Sequence, residues 1–417
     1  MRAGLALVDI TPPVGTRLSG FAGRPVPGFV STGVRDTLRA TVLWLAEKET
    51  GVLIVSLDVI GLTPRDDRAL RQRLARAVGC APEAVLIACS HTHSGPATMT
   101  IRATGDKEVG WTRELFRRVE AAAREAKATA EPLTEALVGV MDCAAAINRR
   151  KPDGPRDERV RTLQIHTQRG PLVTLVHFAC HPVALGNQNT LLSADWVASL
   201  REHAEPTLGY PTLFLQACCG DINPRFGTSR GSGEAERVGK EVAKAALEAV
   251  LQSKAVALTT PTATHRRAHL PLNPYPDEAT LVAIESEARE KLATLGRSDI
   301  DQAALQWIAA VRRKPARNFA VATVSRLTLG PLTLIGLPGE IFTEIGQALD
   351  SESWPVGFAN GNLGYLYPDS ALDEGGYEVT LAYKLYGEQQ TGQGTASALI
   401  RAVQTSLGRN LGTLRRR

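Results

Sequence analysis

No stretch of this chain reaches the roughly 18 uninterrupted apolar residues that a membrane span needs. The opening residues, Met1 to Pro13, carry one Arg and a short strand-like run, without the apolar core and small-residue cleavage site of a secretion signal. A cytoplasmic location with no stable membrane association is therefore expected. Aromatic residues are scarce, at 5%, and no basic patch is interleaved with them, so a nucleic-acid partner is not expected. The net charge of +5 is concentrated partly in Arg415, Arg416 and Arg417, which read as a solvated end. CxxC spacing is absent. The six cysteines, Cys80, Cys89, Cys143, Cys180, Cys218 and Cys219, fall mostly in or beside apolar runs and read as small buried side chains in a reducing compartment. Internal repeats and low-complexity linkers are also missing, so residues 1–417 are expected to form a single domain.

The composition that remains, 43% hydrophobic and 22% charged, is that of a globular protein. Short apolar runs alternate with longer amphipathic ones, which predicts an α/β fold: a mixed β-sheet core flanked by helices. Strands are expected at Leu5–Asp9, Ala40–Leu45, Val52–Leu57, Val85–Cys89, Ala136–Met141, Leu172–Cys180, Thr212–Ala217, Ala320–Leu327 and Leu332–Leu337. Several are apolar at consecutive positions, as strands buried on both faces are. Helices are expected at Arg65–Val78, Thr112–Ala128, Ala194–Ala204, Glu234–Gln252, Asp277–Leu295, Asp299–Arg313, Ile341–Leu349 and Gly392–Asn410. The charged pair around residues 277–313 reads as a helical hairpin insertion, a lid or a dimer arm. Its apolar residues permit a homo-oligomer.

Polar residues recur just after apolar strands: His91 and His93, His181, Asp221 and Glu340. In α/β proteins the loops leaving the carboxyl ends of strands build the site. In extended chain, His91 and His93 point to the same side, although such a pair taken alone reads equally as surface or capping histidines. His181 stands where a strand stops; His177, four residues earlier, reads as a core residue. Glu340 follows a Pro-Gly turn, where it could equally favour the start of the next helix. Arg149 offers a fork for a carbonyl oxygen, but with Arg150 and Lys151 beside it a solvated basic loop is the stronger local reading. Five of the seven tyrosines, Tyr365, Tyr367, Tyr377, Tyr383 and Tyr386, crowd a Gly-rich segment suited to substrate contact or to covering the core. Together these groups offer the N and O donors of a catalytic rather than a structural zinc site.

Seven segments occur in order: Asp9-Ile10-Thr11-Pro12, Ser56-Leu57-Asp58-Val59, His91-Thr92-His93-Ser94-Gly95-Pro96, Asn148-Arg149, Phe178-Ala179-Cys180-His181, Gly220-Asp221-Ile222-Asn223-Pro224 and Leu337-Pro338-Gly339-Glu340. In this the chain resembles the N-terminal catalytic domain of the neutral, non-lysosomal ceramidases, zinc amidases that split the N-acyl bond of ceramide. The resemblance implies a Zn²⁺ cofactor with His91, His181, Glu340 and Tyr365 as ligands, Tyr367 being a rival for the last position. It implies His93, Arg149, Tyr377 and Tyr386 as the polar shell around the reacting bond. Where the family has a serine in a Gly-Asp-Val-Ser-Pro segment, this chain has Asn223, which cannot act as a nucleophile; it is expected to hold substrate or water by hydrogen bonds. The immunoglobulin-like C-terminal domain of the full ceramidases is not expected, so the substrate need not be a lipid. The expected activity is zinc-dependent hydrolysis of a small N-acyl amide. The same scaffold would also serve an esterase or lactonase, or a metal-binding protein without catalysis.

Overall fold

The computed structural model describes residues 1–25, 29–227, 232–296 and 298–405. Among them, strands β1 (Arg2–Asp9), β2 (Arg39–Glu47), β3 (Thr50–Leu57), β4 (Val85–Cys89), β5 (Glu131–Asp142), β6 (Arg159–Thr167), β7 (Gly170–Phe178) and β8 (Thr212–Gln216) form one sheet in the order β8-β7-β6-β5-β1-β2-β3-β4. The short strand Lys254–Ala255 adds to β5. The sheet is mixed: β3–β4 and β7–β8 run parallel and the other neighbours antiparallel. A second sheet joins β9 (Thr262–Pro271), β10 (Phe319–Leu329), β11 (Leu332–Gly336) and β12 (Ser353–Val356) in chain order.

The consecutive apolar residues of the large sheet follow from this stacking. Along β2, Val42 and Trp44 face helices, while Leu43 and Leu45 face the second sheet. The helical layer is made of α1 (Pro64–Val78), α2 (Val109–Ala128), α3 (Trp196–Leu208) and α4 (Ser232–Leu251), which contribute Leu70, Leu115, Leu200 and Val242 to that core. On the other side, Leu327, Leu334 and Val356 of the second sheet pack against Leu43, Ile54 and Leu175. The far face of the second sheet, through Leu270 and Val324, is covered by Leu399 and Val403 of the C-terminal helix Thr395–Thr405. Each fully buried Leu or Val contributes about 1.5–3 kcal/mol to such layers. The result is helix, sheet, sheet, helix. One mixed sheet was expected; the second sheet is the difference.

Other boundaries moved for local reasons. The expected helix Ile341–Leu349 shrinks to Thr343–Gln347, because Glu340 and Ile341 pair in parallel with Tyr365 and Leu366. Strand β6 escaped the apolar pattern because its buried polar residues are paired: Arg161 with Asp157 (2.8 Å) and Gln164 with Ser253 (2.8 Å). Strand β9 is largely polar and exposed on one side, so its sequence has no apolar run. The last expected helix, Gly392–Asn410, is described only as Thr395–Thr405; residues 406–410 and the Arg415–Arg417 tail lie outside the described residues.

The large sheet curls until its ends meet. Ser56 Oγ on β3 donates to Phe214 O on β8 (2.5 Å). Between the two end strands runs the segment Gly357–Ala359: Gly357 N donates to Gln216 O (2.9 Å), and Cys89 N donates to Phe358 O (3.3 Å). This brings the carboxyl ends of β4, β7 and β8 to one place. The predicted helical hairpin is present as Glu278–Leu295 and Asp299–Val311. Its second helix sets Ala303 in a cluster with Ile60, Met99, Ile101 and Leu385 beside that place. Among the described residues, no helix is long and apolar enough to cross a membrane.

Candidate metal centre and active site

His91 does not sit in extended chain, as the strand pattern suggested. Its φ is 68°, and a turn rather than a pleat brings His93 beside it. The two rings still converge, with Nε2 to Nε2 at 3.1 Å. His181 arrives from the end of β7, and one nitrogen from each of His91, His93 and His181 lies within 4.8 Å of the others. Glu340 completes the group from the far side: its Oε2 lies 3.0 Å from His181 Nε2 and 3.5 Å from His91 Nε2. His91, His181 and Glu340 are almost wholly buried.

The orientation of the rings follows from their other nitrogens. His91 Nδ1 meets Ile60 O at 2.5 Å, and His181 Nδ1 meets Ile222 O at 3.0 Å. A carbonyl only accepts, so each Nδ1 carries the proton. In a neutral imidazole the Nε2 is then a lone pair. Burial lowers the pKa of His181, which keeps it neutral, although Glu340 opposes this. Burial opposes the charge of Glu340, yet His91 and His181 hold its carboxyl well below the usual carboxylate range. The Nε2 atoms of His91 and His181 thus face the Glu340 carboxyl at close range. Such a set of N and O donors could hold a metal ion.

Further contacts brace the group. Gln216, at the end of β8, donates to Ser90 O (3.1 Å) and Cys180 O (2.8 Å) and accepts from Cys180 N (3.2 Å), so it ties the residues preceding His91 and His181. Phe358 stacks on the His91 ring at 4.0 Å, and Trp196 Nε1 donates to His181 O (3.1 Å). The buried Arg24 donates to His93 O. Gly20 lies against His93: a Cβ there would sit 2.5 Å from the ring, at a φ of +102°. The polar end of the apolar strand Thr212–Gln216 was a legible signal for Gln216; Arg24 and Phe358 carry none.

The tyrosines separate. Tyr386 Oη donates to Glu340 Oε1. Tyr365 Oη accepts from Arg149 Nη2 (3.0 Å). Burial pushes both hydroxyls well above their ordinary pKa. Tyr377 packs edge-on to Tyr365 at 6.0 Å between ring centres and is 45% exposed. Tyr367 commits its hydroxyl to Thr391 O (3.2 Å), and Tyr383 packs on Trp307.

Arg149 is not the solvated loop residue that its neighbours suggested. Its Nε donates to Glu378 Oε1 (2.8 Å), its Nη2 also to Gly220 O (2.8 Å), and its Nη1 to Asn223 Oδ1 (3.3 Å). Burial works against its charge, but Tyr365, Glu378 and Glu340 outweigh that and raise its pKa. Arg150 is tied to Glu378 (2.7 Å) and Lys151 to Glu374 (2.6 Å). Glu378, not singled out in the sequence, orients Arg149. Asp221 stands apart from the expected convergence: its carboxylate accepts from Thr343 N (2.8 Å) and Asn148 Nδ2 (2.7 Å), bracing two loops. His177 is a core residue, its Nε2 donating to Pro355 O (2.8 Å). Glu340 lies in the short strand pair rather than in a helical first turn.

No protein-family model matches the sequence, and no curated protein matches it. Solved structures do resemble it. The neutral ceramidase from Pseudomonas aeruginosa superposes with a TM-score of 0.75 at 17% identity, over 96% of this chain and 72% of that one. A ceramidase complexed with C2 superposes with a TM-score of 0.71 at 18% identity, over 96% of this chain and 73% of that one. The chain has the neutral ceramidase fold.

Proposed function

We propose that this protein is a zinc-dependent hydrolase of C–N amide bonds in N-acyl substrates. The observation that carries the reading is the convergence of the His91 and His181 Nε2 atoms, 3.5 and 3.0 Å from Glu340 Oε2, with both Nδ1 atoms already bonded to carbonyls. The fold shared with neutral ceramidases supports the same reading. His91, His181, Glu340 and Tyr365 would hold the metal. Zinc in such a site polarises a carbonyl and lowers the pKa of water from about 16 toward about 7.

The chain's own groups divide the remaining work. Tyr386 binds Glu340 Oε1, which leaves Oε2 to face the imidazoles. His93 is held far below its ordinary pKa, by burial first and then by His91 and His181, so it is a neutral base at pH 7. It takes the proton of the attacking water and gives it to the leaving nitrogen. Arg149, fixed by Glu378, presents its charge to the carbonyl oxygen as that oxygen gains negative charge, with Tyr377 at the mouth. Asn223 holds substrate or water beside Arg149, so no serine nucleophile is required. Water and amide give a carboxylate and an amine. The whole chain acts as one catalytic unit with the hairpin as its insertion.

The test is release of free amine from a set of N-acyl amines by the zinc-loaded protein, with and without a chelator. Turnover that the chelator abolishes and zinc restores supports the reading. A protein that holds stoichiometric zinc and cleaves no acyl amide refutes it.

A further inference from the structure

Tyr386 belongs to two places at once. Its hydroxyl reaches Glu340, and the residue also lines a cleft of about 770 Å³ between the chain around residue 101 and the second helix of the hairpin. The charges of this cleft are unequal in their availability. Arg102 lies on the same wall as Tyr386, its backbone N–H bonded to Leu385 O (2.8 Å), and it is only partly exposed. Its Nη1 donates to Lys384 O (3.3 Å); burial lowers its pKa, Glu388 acts on it from farther off in the opposite sense, and among the described residues no carboxylate lies at ion-pair distance from it. Glu388, which also lines the cleft, is already bound to Arg317 (2.6 Å). From the hairpin side come Arg313, whose Nε donates to Ala309 O (2.8 Å), and Lys314; neither has a carboxylate partner among the described residues. Of the acids, Asp299 accepts from Gly23 N (2.9 Å), and Asp106 lines the cleft as an exposed residue.

A cleft for a long alkyl chain would be walled by apolar side chains. This one carries Arg17, Thr100, Gln302 and Gln306 besides the charges above. A guanidinium with no carboxylate at ion-pair distance and partly shielded from water, as at Arg102, is suited to carboxylate or phosphate oxygens, and the exposed Arg313 and Lys314 add positive charge at the rim. We propose that the substrate bears an anionic group, a carboxylate or a phosphate, which is held in this cleft by Arg102 with Arg313 and Lys314, while its acyl–nitrogen bond lies at the histidine–glutamate cluster. This names the substrate class for the hydrolase reading and rests on it.

The experiment compares three probes with one acyl chain: N-hexanoylglycine, N-hexanoylaminomethylphosphonate and the neutral N-hexanoylethanolamine. On the zinc-loaded protein, kcat/KM for one anionic probe is expected to exceed that for the neutral one by about tenfold or more, the scale of a charge-assisted hydrogen bond. The preferred anion tells carboxylate from phosphate. In Arg102→Gln the ratio of anionic to neutral should collapse toward one through KM, and Arg102→Lys should restore part of it. Arg313→Gln with Lys314→Gln, on the exposed hairpin end, should lower the same ratio if Arg102→Gln fails to fold. Equal kcat/KM for all three probes, with the ratio unmoved in the variants, overturns the anion site and leaves the hydrolase reading standing. If no probe is cleaved, the hydrolase reading fails, and calorimetry still decides the site. N-hexanoylglycine or the phosphonate binding to wild type and not to Arg102→Gln supports it; no binding of either to wild type overturns it.

Discussion

His181 Nε2 and Glu340 Oε2 lie 3.0 Å apart, and His181 Nδ1 already donates to Ile222 O. Burial keeps the His181 imidazole neutral, and with its proton on Nδ1 the Nε2 turns a lone pair toward the Glu340 carboxyl. A nitrogen and a carboxylate oxygen at that distance are bridged by a proton or by a metal cation, and the low dielectric of the interior strengthens either bond.

The first expectation is therefore metal content. Protein purified without added metal and then supplied with zinc should hold about one zinc per chain. In Glu340→Gln the carboxylate charge is gone and retention should fall, by roughly 10- to 100-fold or more in affinity. Elemental analysis after gel filtration measures both, and thermal unfolding with and without chelator should show a stabilisation by zinc that the variant lacks. Wild type with no zinc after loading would remove the basis of the metal site.

His91 and His93 should separate in their roles. His91→Ala is expected to lose both zinc and turnover. His93→Ala should keep zinc and lose about 10²- to 10⁴-fold in kcat, the usual contribution of a positioned acid–base group. Gly20→Ala tests the same ring from outside, because its new Cβ would stand 2.5 Å from the His93 ring. It should also keep zinc and lose rate. Loss of metal in His93→Ala would instead make His93 a ligand.

Arg149→Lys should lower kcat by about 10²- to 10³-fold with zinc retained. Lysine keeps the charge but cannot reach Glu378, Gly220 and Tyr365 together, as the guanidinium does. Glu378→Gln should cost less, since it acts by orienting Arg149. Single-turnover rates separate this from an effect on binding alone.

Acid sensitivity should arise in part from His177, away from the site. Burial takes its pKa down from 6.5 to about 3. Between those values the unfolded chain binds a proton that the native protein does not, so stability falls as pH falls through that window, by up to about 1.4 kcal/mol per pH unit. Asp36, Asp67 and Asp195, each pushed up to about 6 by burial, act in the opposite sense: their contribution is present at low pH and is lost as pH rises toward 6. The difference between wild type and His177→Gln isolates the histidine. Urea midpoints from pH 7 to pH 4 should fall more steeply in wild type; parallel curves would exclude His177.

The layered α/β character was legible because a strand buried on both faces must be apolar at consecutive positions, as in Arg39–Glu47, and because amphipathic helices repeat at their own period. The histidines were legible as polar residues at the ends of apolar strands, and Glu340 as a carboxylate after a Pro-Gly turn. The sequence by itself determined which donors are available and that a serine is absent at Asn223. Tertiary structure alone decided what local sequence leaves open. It set the Tyr365 hydroxyl against Arg149 and that of Tyr386 against Glu340 while Tyr367 bonds Thr391 O and Tyr383 packs on Trp307, left Arg149 half-buried among fixed partners, turned Asp221 into a brace, and stacked a second sheet on the first. The physical reason is sequence separation: the partners that fix these side chains, such as Glu378 for Arg149 at 229 residues away and Glu340 for His181 at 159, meet only when the sheet curls and its ends close on Gly357–Ala359.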